Sequence, residues 1–324
     1  MPAVLTHDFF GRDAYQLVAE AHGFASADQR DAFLLGNQGP DPLFYLRVEP
    51  WVDKRDSVGD LMHDARPAHL LLAFHDALDM LAPADRPVGE AYVAGFCCHY
   101  LLDRTMHPLV YANQYAICSA GVEGLDEQDG SDVHAEIERD FDEMVLFAKT
   151  RQTIRTYRTY REVLRGSDEV LSIVDKLLFY AILWTYSATI DLDTFTNATR
   201  GFRVMQRVFW SPKGVGHAVL GTVETRLLGK RYSFYRAMAH RDRPEATSGF
   251  ANHEHQPWKN PFVDEVRTED FWDLYERAQG QVADALRALL APGFDLDAAL
   301  ALTAGLNFCG KPVGEDDPFE LPGA

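Results

Sequence analysis

The chain has 324 residues, 47% of them apolar and 25% charged, which is ordinary for a globular protein able to bury a large core. Its formal charge of −18 argues against a polyanion such as DNA and against docking on an anionic membrane, since both need a basic face. The four cysteines, Cys97, Cys98, Cys118 and Cys309, form no CxxC pair, exclude a disulfide scaffold, and read as small apolar core residues.

The N-terminal stretch MPAVLTHDFF has no basic n-region and no apolar h-region, so no signal peptide is read and a cytoplasmic location is expected. Thr6 is positioned to cap a first helix running to Ala21, with Gly23 just past its end. Ser26 caps a short second helix that stops at Gly36. Gly36 to Asp41 is then a run of turn formers. Pro67 fits the first turn of a helix reaching Met80, with Leu70, Leu71, Phe74 and Leu78 at helical spacing.

An apolar helix follows from Glu90 to Met106, with Pro108 expected to end it. A polar loop over 121–130 leads to a helix from Asp132 to Phe147, with Ser131 as its cap. Further helices are predicted at 168–188, 191–209, 215–227, 268–290 and 296–306, and an irregular polar stretch at 241–261. The uncharged run Leu177 to Ile190 has fourteen residues and is too short to span a bilayer. No strand of useful length alternates. The predicted class is all-α, a multi-helix bundle. Residues 1–165 would be the metal-binding core and 166–324 a C-terminal helical region packed on it as one unit.

His99, Asp103 and His107 recur at i, i+4 and i+8, which stacks them on one helix face. Neighbours in that row lie roughly 6 Å apart along the axis, and His99 and His107 roughly 12 Å. One ion fits between His99 and Asp103, and three ligands would need more than one. Imidazole and carboxylate are preferred zinc ligands. Asp103 also interrupts a run of Ala, Phe, Cys, Leu and Tyr, where an uncompensated carboxylate would cost several kcal/mol. His134 and Glu138 repeat the i, i+4 pairing downstream. Taken singly, each pair is a common surface pattern. His63 reads as a core or capping histidine and Asp41, after Gly-Pro, as a turn residue.

Together, Gly39-Pro40-Asp41-Pro42-Leu43-Phe44-Tyr45, Met62-His63, His99-Tyr100-Leu101-Leu102-Asp103 and His134 with Glu138 resemble the metal motifs of the zinc-dependent phospholipase C family. Its fold is shared with fungal single-strand-specific nucleases. The likeness runs from His7 to Glu138, and the second half matches only as further helix. It implies two to three Zn2+ ions. The first would take Asp41, His63, His99 and Asp103, and the second His107, His134 and Glu138. The third would take His7, Asp103 as a bridge, and the amino terminus, here Pro2 once Met1 is removed.

The resemblance further implies phosphate-ester hydrolysis by a zinc-activated hydroxide, with Asp41 and Asp103 as catalytic residues. Phe44 and Tyr45 read as core packing or as walls of a headgroup pocket. A phospholipid headgroup or another small phosphodiester is the expected substrate, and nucleic acid is not. This chain departs from the family in three ways. It lacks the signal, it places His107 two residues closer to Asp103, and it has Pro42 where choline-specific members carry an aromatic residue. The alternatives are a nuclease or nucleotidase of the same fold, an HD-type phosphohydrolase through His63-Asp64, and a metal-stabilised headgroup-binding module without turnover. His253 and His255 in Asn252–Trp258 read as a solvated loop, with a further metal site or a lid as the other readings.

Overall fold

The computed structural model describes residues 4–48, 58–121, 126–210 and 239–321. Eleven helices are placed among them. They are α1 (Val4–His22), α2 (Ala27–Gly36), α3 (Val58–Asp64), α4 (Pro67–Ala77), α5 (Arg86–Cys118), α6 (Gly130–Thr150), α7 (Thr159–Glu162), α8 (Asp168–Tyr186), α9 (Thr194–Phe209), α10 (Phe271–Leu289) and α11 (Leu296–Thr303). A 3-10 helix covers Asp41–Val48, and Leu78–Met80 adds a 3-10 turn after α4. The described strands are Trp258–Lys259 and Val266–Arg267, paired antiparallel with Trp258 opposite Arg267. The protein is all-α. No described helix is long and apolar enough to cross a membrane.

Local chemistry accounts for most of the helix starts. Ser26 accepts from Gln29 N, and the Gln29 side chain reaches back, a reciprocal capping box on α2. Ser167 caps α8 through Val170 N, and Asp295 caps α11 through Ala298 N. Pro67 opens α4 at a position that needs no donor.

Three expectations are corrected. First, α1 begins at Val4, and Thr6 lies inside it. Its start is capped by Asp142 of α6, which accepts from Leu5 N at 3.0 Å, Thr6 N at 2.7 Å and Thr6 Oγ1 at 2.8 Å. Second, Pro108 does not end α5, which continues to Cys118. Proline removes one hydrogen bond from a helix interior, and burial of Leu109 and Val110 on the next turn offsets that loss. Third, α6 starts at Gly130, so Ser131 is helical, and Asp126 instead caps the 3-10 turn before it. The predicted helix at 215–227 lies outside the described residues.

The chain divides into two compact units, each built from three stretches of sequence. One comprises residues 1–9, 106–163 and 203–274. The other comprises residues 10–105, 164–202 and 275–324. In the second unit α4 packs on α8 and α11. Its core holds Phe33, Phe74, Tyr92, Phe96 and Phe195, all at most 1% exposed. Phe74 and Phe96 lie 4.4 Å apart, and Tyr92 meets Phe195 edge-on at 5.6 Å. Burial of each such ring is worth about 1.5 to 3 kcal/mol. Here α2 and α5 touch backbone to backbone. A Cβ on Gly95 would stand 2.0 Å from the Phe33 carbonyl oxygen, so only glycine permits the crossing.

The first unit centres on α6. Phe141 packs against Phe271 at 4.7 Å. His240 meets Asp142 at 2.9 Å, and Arg241 pairs with Asp140 and Glu143. These contacts fix the irregular segment that starts at 239.

Candidate metal centres

The second unit contains a tight group of Asp41, His63, His99 and Asp103. Asp41 opens the 3-10 helix, His63 sits in the last turn of α3, and His99 and Asp103 lie one turn apart on α5. His99 Nε2 stands 3.0 Å from Asp103 Oδ2. His63 Nε2 stands 3.3 Å from Asp41 Oδ1 and 3.7 Å from Asp103 Oδ2. The His99 side chain is fully buried, those of Asp41 and Asp103 are 6% exposed, and that of His63 is 11% exposed. Burial opposes charge on His63, yet its hydrogen bond to Asp41 and the Asp41 and Asp103 carboxylates outweigh burial and raise its pKa.

Ring orientation is set from behind. His63 Nδ1 lies 2.7 Å from the Gly59 carbonyl oxygen, and His99 Nδ1 lies 3.3 Å from the Asn37 carbonyl oxygen. With a cation bound, a proton on each Nδ1 would leave both Nε2 lone pairs directed at an ion held between the rings and the carboxylates. The loop before Asp41 comes close because residue 39 is glycine. Its φ is +54°, and a Cβ there would fall 2.2 Å from His99 Cδ2.

The first unit holds His107 on α5 with His134 and Glu138 on α6. Both imidazole Nε2 atoms stand 3.4 Å from Glu138 Oε1. His134 Nδ1 is 2.9 Å from Gln114 Oε1, and Tyr111 meets the His134 ring edge-on at 4.9 Å. Burial holds the His134 pKa below its ordinary value, against the pull of Glu138. The ring is therefore kept in the neutral form that metal ligation requires.

Both donor sets fit a divalent cation. In each of the groups His63–His99–Asp103 and His107–His134–Glu138, one ligand atom per residue lies within 4.8 Å of the others. Two ligands at about 2.0 to 2.1 Å from a tetrahedral ion stand about 3.3 Å apart, which matches the spacings of 3.0 to 3.7 Å and 3.4 Å. Metal-bound histidine typically donates its remote N–H to an oxygen, and His63, His99 and His134 each have one there. These buried groups can hold metal ions.

His7 is buried on α1 in the first unit, and Asp41 and Asp103 belong to the second. Phe44 is half-buried and lies flat over His63, with centroids 5.4 Å apart at 25°. Tyr45 does something else. It is 6% exposed and stacks on Phe202 at 3.9 Å, a core contact. Asp64 is absent from the His63 group, and its carboxylate lies 4.0 Å from Cys309 Sγ. His253 and His255 face Asp270 and Asp273 beside the start of α10, and neither belongs to a metal-competent group among the described residues. All four cysteines are free. Cys97, Cys98 and Cys118 are buried, and Cys309 is half-buried rather than in the core.

The groove of 380 Å3 in the second unit is lined by alanines of α10 and α11 with Leu101 and Arg104, and by no ligand of the group. Sequence reasoning missed Asn37, Gly59 and Gln114, and it named Leu306–Lys311 as a possible part of the cavity without a physical argument for Phe308. Gln114 alone carried a signal, since His107, Tyr111 and Gln114 share a face at i, i+4 and i+7.

No protein-family model, curated protein or solved structure matches the chain.

Proposed function

We propose that the chain is a divalent-cation-dependent hydrolase of phosphate esters, of the zinc-dependent phospholipase C type, with zinc as its cation. One observation carries the reading: three histidines have Nδ1 pinned to an oxygen and Nε2 turned toward a buried carboxylate. A hydrogen-bonded core pair explains one such ring more simply than three.

Bound cations supply positive charge at the phosphoryl oxygens and acidify water, which is the part of the chemistry the side chains lack. Asp41 stands beside His63 at the mouth of the 3-10 helix and serves as the proton acceptor that orients the attacking water. Asp103 faces both His63 and His99 and fixes the two rings to one centre. Phe44, flat on His63, is the apolar wall for the ester's organic group. Pro42 removes the aromatic side chain expected of a choline site, so the substrate is a phosphodiester with a headgroup other than choline. The charge of −18 favours this over a nuclease.

The test is a parallel assay of metal-loaded protein on bis(p-nitrophenyl) phosphate, a set of phospholipids and single-stranded DNA. Diester hydrolysis should fall about a hundredfold or more in Asp103→Asn. Full activity of that variant, or no hydrolysis of any phosphate ester by the wild type, rejects the reading.

A further inference from the structure

The segment after α11 folds into a tight turn that the proposed chemistry does not use. Leu306 pairs with Pro312 in an isolated β-bridge, and Asn307 organises the turn from inside. Its Oδ1 accepts from Cys309 N and Lys311 N, both at 3.0 Å, and its own N–H donates to the Lys311 carbonyl at 2.9 Å. Gly310, at φ +73°, closes the reversal. The result is a built loop rather than a trailing end.

That loop presents Phe308 to the back of the His63–His99 group. Phe308 is fully buried, with its ring 5.2 Å from the His63 ring and 5.8 Å from the His99 ring. Phe96 and Tyr100 of α5 meet it edge-on at 5.9 and 4.9 Å. The backbone is tied to the same place. Phe308 N donates to the His63 carbonyl oxygen at 3.2 Å, and Asn307 Nδ2 donates to the Asp64 carbonyl oxygen. Tyr100, the residue after His99, donates its hydroxyl to the Leu306 carbonyl at 2.7 Å.

A second anchor lies beyond the turn. Glu315 accepts from Ala68 N, His69 N and His69 Nδ1 at 2.9, 3.2 and 2.8 Å, which caps α4 directly after the α3 segment that carries His63. Further on, Phe319 packs edge-on against Tyr186 and beneath Arg66.

His63 is the ligand that most needs such help. It comes from α3, a helix of seven residues, whereas His99 and Asp103 ride on a helix of 33. A short helix cannot hold an imidazole within the few tenths of an ångström that a coordination bond tolerates. Buried rings can, because rotamers locked by packing cost no ordering entropy when the ion arrives.

We propose that the turn Leu306–Pro312, through Phe308, is the positioning element of the His63–His99–Asp103 cation site, setting its affinity and ligand geometry without touching the ion. This rests on the metal reading above. The experiment uses full-length protein carrying His134→Ala, which leaves the His63 site as the one to be read, and titrates it with cobalt(II), following visible absorption and calorimetry. Phe308→Leu keeps an apolar filler and removes the ring. Asn307→Ala keeps the Phe308 ring but loosens the turn that positions it.

Both variants should bind cobalt about tenfold to a hundredfold more weakly, with an altered ligand-field band. A role confined to stability would lower the melting temperature and leave the band unchanged. If circular dichroism shows that Phe308→Leu fails to fold, Asn307→Ala decides. One cobalt bound with an unchanged band and affinity in the folded variants overturns the role of the turn and leaves the metal reading standing. No cobalt bound by the His134→Ala parent overturns both.

Discussion

His99 Nε2 lies 3.0 Å from the Asp103 carboxylate one turn along α5, while its Nδ1 faces the Asn37 carbonyl at 3.3 Å. The ring is held between a backbone oxygen of one segment and a carboxylate of another, inside a core of Phe96, Tyr100 and Phe308. In such surroundings a carboxylate pair needs a compensating positive charge.

Gly39 is the most exposed weakness of that arrangement. Gly39→Ala places a methyl 2.2 Å from His99 Cδ2 and forces a left-handed φ on an L-residue. The expected outcome is a loss of about 1 to 3 kcal/mol in urea denaturation. Cobalt affinity at the His63–His99–Asp103 group should fall by about tenfold or more. A variant that binds cobalt as the wild type does would show that the close approach is not needed.

Gln114 is the corresponding support in the other unit. Gln114→Leu keeps the bulk and deletes the oxygen that His134 Nδ1 faces at 2.9 Å. Metal affinity at His107–His134–Glu138 should drop about tenfold to a hundredfold, with the melting temperature of the metal-free protein nearly unchanged. Unaltered affinity on calorimetry would mean that ring orientation there is set by Tyr111 packing alone.

Much of the helical frame was legible because its signals are local. Ser26 with Gln29, Pro67 and Ser167 mark helix starts within a few residues of themselves. Where the controlling partner is remote, the sequence misled. The true cap of α1 is Asp142, 136 residues from Thr6. Pro108 reads as a stop by local sterics, yet α5 runs through it.

The candidate sites divide in the same way. His99 with Asp103 and His134 with Glu138 show helical spacing. Asp41 and His63 join His99 only through tertiary folding, and a resemblance rather than a pattern singled them out. Leu306–Lys311 drew notice as a possible part of the cavity, but no spacing rule assigns Phe308 a role, since an isolated aromatic looks like any core residue.

Asp175 yields a pH prediction away from both groups. Burial pushes its carboxyl above the ordinary value of 3.8, against hydrogen bonds from Thr196 and Phe195 at the start of α9. A carboxyl raised in the folded state favours folding when protonated. Its contribution is therefore fully present below the unfolded pKa and is lost as pH rises through the folded pKa. Asp175→Asn keeps an acceptor for the two backbone N–H groups and removes the titration. Relative to wild type, the variant should gain stability as pH rises from below the ordinary carboxyl value of 3.8 through the raised folded pKa. Urea midpoints across that range check it, and a difference that is constant with pH would contradict it.

If the two buried histidine–carboxylate groups hold transition-metal cations, elemental analysis of untagged, chelator-free protein will find them. The expected count is at least two such ions per chain, with zinc as the element found, and one fewer in His99→Ala and in His134→Ala separately. A chain that carries none, and takes up none when zinc is added to the folded protein, would contradict it.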